Sequence, residues 1–255
     1  MLTRRLIVCL DVRDGRVVKG VGFKELRDVG DPVALATYYE EEGADEVTYL
    51  DISASTEGRG TMLDLARRTA ERLFVPLAIG GGVRSADDVG RALRSGADKV
   101  CLNTSIIARP ETLAESARRF GSQCVVASID VRREGDRWRV YSHGGHTATS
   151  LGAVEWAVEC VERGAGEILL TSIDRDGGRT GYDIELTRAV SQAVGVPVIA
   201  SGGAGSAAHV VDVLGEGHAD AALVAGILHD RVTTVGAIKR AMDAASLPVR
   251  ETASV

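Results

Sequence analysis

The chain has 255 residues, 45% apolar, 26% charged and only 4% aromatic, a balance that fits a folded globular protein and excludes a disordered or membrane-embedded one. Thirty basic against 36 acidic side chains leave a net charge of -6, so neither nucleic acid nor an anionic membrane is expected as a partner, and any anion must be held by local groups. The thirty glycines cluster between apolar runs rather than in a period, which excludes a collagen-like chain.

In chain order, short runs rich in Val, Ile, Leu and Ala fall near 6–10, 47–51, 75–79, 98–102, 124–130, 167–172, 196–200 and 221–225. Each is about strand length. The first follows Arg4 and Arg5 but stops at Asp11, too short for a signal peptide, and no run approaches the ~18 residues of a membrane span. Cys9, Cys101, Cys124 and Cys160 are far apart, with no Cys-x-x-Cys pair, and read as reduced core residues of a cytoplasmic protein. Between the runs lie stretches with helical spacing, such as Leu63, Ala66, Arg67, Ala70 and Leu73, or Val154, Ala157, Val158 and Val161. The runs show little polar alternation, as expected of parallel strands buried on both faces. Eight such units predict an α/β fold, a (β/α)8 TIM barrel forming one domain over 1–255, with an open doubly wound sheet as the runner-up.

The two halves of the chain echo each other. Gly43-Ala44-Asp45-Glu46 returns as Gly164-Ala165-Gly166-Glu167 at an offset of 121, and Ile79-Gly80-Gly81-Gly82 as Ala200-Ser201-Gly202-Gly203. Leu10-Asp11-Val12 is matched by Ile129-Asp130-Val131, and Ala97-Asp98 by Ala219-Asp220. Four landmarks in one order predict duplicated half-barrels, about 1–122 and 123–255.

In such a barrel the active site lies at the C-terminal ends of the strands. Asp11 and Asp130 end apolar runs at repeat-related positions and are expected to face each other as a general acid and base, rather than as two turn residues. The glycine turns at Gly81 and Gly82, and at Gly202 and Gly203, let backbone N–H groups approach a phosphate closely; alternatively they are only tight connections. Asn103 and Thr104, and Ala225 and Gly226, are placed to complete the two cradles. Together they predict a ligand with a phosphate at each end. Ser85, with Asp88 three residues on, reads as the cap of the helix after the first cradle.

The polar stretch from Arg13 to Pro32 is expected to be a long lid loop carrying Lys19 as a phosphate contact or as a solvated lysine. The turn containing Asp176 and Gly177 is expected near the second phosphate. His143 and His146 lack the companions a metal site needs and are expected in an exposed loop, with no metal and no cofactor; His209, His218 and His229 fall on helical stretches. At the opposite ends of the strands, Arg5, Glu46, Lys99 and Glu167 are either solvated or an ion-paired ring closing the barrel floor.

Four segments carry a family resemblance: Arg5 to Gly20 (RLIVCLDVRDGRVVKG), Gly30 to Val33 (GDPV), Gly164 to Gly177 (GAGEILLTSIDRDG) and Ala200 to Gly205 (ASGGAG). The sequence resembles, over nearly its whole length, the cyclase subunits of imidazole glycerol phosphate synthases of histidine biosynthesis. The resemblance implies a duplicated barrel in which Asp11 and Asp130 are the acid and base. It implies a reaction in which ammonia from a glutaminase partner attacks a bisphosphorylated ribulosyl formimino aminoimidazole carboxamide ribonucleotide, giving imidazole glycerol phosphate and aminoimidazole carboxamide ribonucleotide. It further implies that Arg5, Glu46, Lys99 and Glu167 gate an ammonia channel, with the glutaminase docked on the N-terminal face of the barrel. Gly226, Gly178 and His146 stand where serine, threonine and arginine are common in that family. The competing readings are the sister aminoaldose-ketose isomerase, which consumes no ammonia, and a non-catalytic bisphosphate-binding subunit.

Overall fold

The computed structural model describes residues 2–21, 24–52 and 58–250, with the side chains of 20, 21, 24–26 and 58–61 left aside; the expected ends of the domain, 1 and 251–255, lie outside the described residues. The strands are β1 (Arg5–Arg13), β2 (Arg16–Val21), β3 (Lys24–Gly30), β4 (Glu46–Asp51), β5 (Leu77–Gly80), β6 (Lys99–Leu102), β7 (Val125–Glu134), β8 (Arg137–Ser142), β9 (Thr147–Gly152), β10 (Glu167–Ser172), β11 (Val198–Ser201) and β12 (Ala221–Val224). The helices are α1 (Pro32–Glu41), α2 (Gly58–Ala70), α3 (Ala86–Arg94), α4 (Thr104–Ala108), α5 (Glu111–Phe120), α6 (Ala153–Glu162), α7 (Ile184–Ala193), α8 (Ala207–Gly215), α9 (Gly226–His229) and α10 (Val235–Ala244).

The eight apolar runs are the strands β1, β4, β5, β6, β7, β10, β11 and β12, each parallel to the next, and β12 pairs back onto β1. The sheet is therefore a closed (β/α)8 barrel, and the open sheet is excluded. Closure explains the sequence pattern: one face of each strand fills the barrel and the other lies under helices. Ile7, Cys9, Ala78, Cys101, Val126, Leu169, Ile199, Ala221 and Leu223 form the inner cluster. A larger layer outside takes the apolar stripes of the helices, such as Val235, Ile238 and Met242 of α10, spaced three and four apart. Cys124 and Cys160 belong to that outer layer, and all four cysteines are free thiols.

Several local features recur at corresponding places in the two halves. Ser85 and Ser206 cap α3 and α8 by accepting from the backbone N–H of Asp88 and His209. Asp98 and Asp220 each accept from the first residue of a neighbouring strand, Leu77 N–H at 2.8 Å and Val198 N–H at 3.1 Å. Gly43 and Gly164 turn with φ near 101° and 106°.

Two expectations are corrected. The stretch from Arg13 to Pro32 is not an irregular loop: β1 runs on into an antiparallel hairpin with β2, which pairs with β3, while residues 22 and 23 lie outside the described residues. β7 does the same with β8 and β9. His218 is not helical; it follows α8 in the left-handed region, at φ 57°.

Candidate active site

Asp11 and Asp130 sit on β1 and β7, four strands apart around the ring of eight, so they stand on opposite walls at the C-terminal mouth. Both feel the charge of Asp176, which places all three carboxylates on one space. Burial, helped by repulsion from Asp176, pushes each of Asp11 and Asp130 up to about 6. Single hydrogen bonds work the other way: the Cys9 thiol lies 3.7 Å from Asp11 Oδ1, and Asn103 Nδ2 donates to Asp130 Oδ2 at 3.0 Å. Two carboxyls poised near neutrality can hold and release a proton under physiological conditions, which ordinary surface aspartates do not.

Each wall also carries a glycine turn. Gly81 and Gly82 have φ 96° and 65°, and Gly202 and Gly203 have 87° and 107°. A β-carbon on Gly81 would stand 2.3 Å from the Asp51 carbonyl oxygen, and one on Gly202 would stand 2.6 Å from that of Ser172. Both turns thus need glycine for conformation and for space. Asn103 (φ -127°, ψ -92°) and Ala225 (φ -134°, ψ -80°) share one unusual backbone turn leading into α4 and α9. Thr104 Oγ1 accepts from the His143 backbone N–H at 2.9 Å, docking the β8–β9 turn on the first cradle.

Lys19 is not a free solvated lysine. Its Nζ reaches across from β2 to the Gly226 carbonyl at 3.3 Å and pairs with Asp230, which follows α9. Arg27 and Arg179 pair with the same carboxylate. The hydrogen bond from Lys19, with that from Arg179, holds Asp230 down to about 2 against its partial burial. Gly177 lies in the turn after β10, in the left-handed region at φ 71°. His143 and His146 are exposed, and among the described residues no three ligating groups come together for a metal ion.

At the other end of the barrel the four charged strand starts do form a closed ring. Arg5 pairs with Glu46 at 2.9 Å and with Glu167; Lys99 pairs with Glu46 at 2.7 Å and with Glu167 at 2.8 Å. Burial pushes the Glu46 carboxyl up despite Lys99, whereas for Arg5 the two glutamates outweigh burial and raise its guanidinium further. Oε1 of Glu46 is buried and accepts no hydrogen bond among the described residues. On the same face Leu2 and Phe74 are 93% and 95% exposed.

Sequence reasoning missed His229 and the carboxylate of Asp230. His229 bridges the Tyr39 hydroxyl at 2.7 Å and the Cys9 carbonyl at 3.1 Å, and burial lowers it to about 4, so it stays neutral beneath β1. The signal that could have found them was position: both residues follow the second cradle within four positions of Gly226.

A family model described as "Histidine biosynthesis protein" matches residues 5–234. The chain is 71% identical over 250 residues, 98% of it and 99% of the relative, to "Imidazole glycerol phosphate synthase subunit HisF" of Myxococcus xanthus (strain DK1622). Proteins of the same name from Geobacillus thermodenitrificans (strain NG80-2) and Geobacillus kaustophilus (strain HTA426) are 58% and 56% identical, over 94% and 98% of the chain and 96% and 100% of their own lengths.

Proposed function

Because the chain belongs to the histidine biosynthesis protein family, with relatives named as subunits of imidazole glycerol phosphate synthase, we propose that it carries out the cyclase step of that synthase. Ammonia adds to the ribulosyl arm of a bisphosphorylated ribulosyl formimino aminoimidazole carboxamide ribonucleotide, and ring closure and elimination release imidazole glycerol phosphate and aminoimidazole carboxamide ribonucleotide. The observation that carries this reading is the pair Asp11 and Asp130, on opposite walls and both raised to about 6. Imine formation needs a proton delivered to departing water, and ring closure needs one removed from nitrogen. One carboxyl on each side of the bound chain serves both without moving the substrate.

The glycine turns on the two walls bind the terminal phosphates through backbone N–H groups, at Gly81 and Gly82 with Asn103 and Thr104, and at Gly202 and Gly203 with Gly177, Ala225 and Gly226. Lys19, held at Gly226, reaches the second of these. The two cradles descend from the two halves, about 1–122 and 123–255.

The ring of Arg5, Glu46, Lys99 and Glu167 gates ammonia entering from a glutaminase on the N-terminal face. The free Glu46 oxygen supports this, since it can accept from a small N–H donor passing the ring. Exposed Leu2 and Phe74 on that face support the docking site.

Asp11→Asn and Asp130→Asn are expected to abolish ammonia-dependent turnover while affinity for the bisphosphate changes little. Near-normal turnover in both variants would overturn the acid–base assignment, binding without ammonia-dependent turnover by the unaltered protein would favour a non-catalytic binding subunit, and ammonia-independent isomerisation by it would favour the sister isomerase.

A further inference from the structure

Asp230 lies in the stretch after α9, where three cations from three separate places in the chain converge on it. Lys19 comes from β2, Arg27 from β3 and Arg179 from the turn after β10. Arg27 takes one carboxylate oxygen at 3.0 Å, and Lys19 and Arg179 share the other. These contacts span 203, 211 and 51 positions of sequence, so the cluster is a product of the fold and not of local charge pairing. It stands against the second glycine cradle. A β-carbon on Gly226 would meet Lys19 Cε at 3.5 Å and Arg179 Nη2 at 3.9 Å, ordinary contact distances that set both side chains directly against the cradle. The backbone of Arg179 closes on the cradle too, its carbonyl oxygen 2.0 Å from where a β-carbon of Gly205 would be.

Three cations against one carboxylate leave a surplus of two positive charges on the rim. Lysine has three donors and arginine five, so each keeps donors free after pairing with Asp230. Three cations crowded together would otherwise repel, and a shared carboxylate is what lets them stand close. We propose that Asp230 is a positioning residue that gathers Lys19, Arg27 and Arg179 into a clamp, and that Arg27 and Arg179 are phosphate-binding residues for the substrate end held at the second cradle. The inference rests on the reading of Gly202, Gly203 and Gly226 as a phosphate cradle, and it adds side-chain charge to what backbone N–H groups supply there. It also gives the β2–β3 hairpin a part in binding, since that hairpin carries two of the three cations to the mouth.

The test uses the full chain labelled with nitrogen-15 and titrated with inorganic phosphate, followed at the backbone amides of Gly203 and Gly226, with Gly82 reporting on the other cradle. In parallel, KM and kcat for the bisphosphate are measured with ammonia. Arg27→Gln and Arg179→Gln are each expected to weaken phosphate binding at Gly203 and Gly226 and to raise KM several-fold, with a smaller fall in kcat and no change at Gly82. Arg179→Lys is expected to recover part of the loss. Asp230→Asn is expected to weaken binding as well, because the cations separate. Unchanged binding and KM in both arginine variants would overturn the clamp while leaving the cradle standing. Tighter binding in Asp230→Asn would overturn the positioning role, since the carboxylate would then be a competitor of phosphate. If the unaltered protein shows no response at Gly203 or Gly226, the cradle itself fails and the clamp falls with it.

Discussion

The chemistry proposed for the mouth depends on two unfavourable effects on Asp11 and Asp130, burial first and then the repulsion that Asp176 adds. A carboxyl raised to about 6 loses its proton two pH units later than an ordinary aspartate, so the acid limb of kcat/KM, expressed per free ammonia, is expected to bend near pH 6. Removing the neighbouring charge in Asp176→Asn lowers both groups, and the bend is expected to move to lower pH. An unchanged limb would show that Asp176 does not act on the pair. Position mattered more than residue type in reading these sites. Asp11 and Asp130 were legible because each ends an apolar run at a repeated place. Asp230 was not, because nothing local distinguishes it from a surface aspartate; its partners lie 203 and 211 residues away.

Among the elements, the barrel strands were legible and the hairpins were not. A strand buried on both faces must be apolar throughout, and all four residues of β5 and of β12 are buried. β3 reads KELRDVG and β9 reads TATSLG; neither sequence carries an apolar run, and no residue of β9 is buried. Backbone pairing sets them in place, with Val29 and Leu151 packed against the core and Arg27 paired with Asp230. Turn chemistry was the signal that could have found the first hairpin: Asp14 and Gly15, at φ 51° and 74°, form the two-residue connection between β1 and β2 that Asp-Gly favours. The same reasoning makes the cradle turns intolerant. Gly202→Ala would place its β-carbon 2.6 Å from the Ser172 carbonyl oxygen at φ 87°. The substitution is expected to cost at least about 2 kcal/mol, read as a lower denaturation midpoint, and to weaken phosphate binding on its own wall before the other.

For the whole molecule, the decisive feature is that the two ends of one barrel carry opposite designs, an open mouth of carboxylates and glycines and a floor closed by Arg5, Glu46, Lys99 and Glu167. Breaking a buried ring of this kind leaves charge uncompensated, at about 3–5 kcal/mol per orphaned pair. Lys99→Met is therefore expected to lower the melting temperature. It is also expected to lower glutamine-dependent turnover of the assembled complex more than ammonia-dependent turnover of the barrel alone. Equal losses in both assays would remove the gate from the account. The buried thiols set up a different kind of measurement. Cys9 and Cys101 line the barrel interior, and Cys160 lies under the helices; burial pushes Cys101 and Cys160 to about 12, and Cys9 is raised as well. An alkylating reagent should find these sulfurs inert at neutral pH until the walls part, so the pace of iodoacetamide labelling clocks how often the closed cylinder opens.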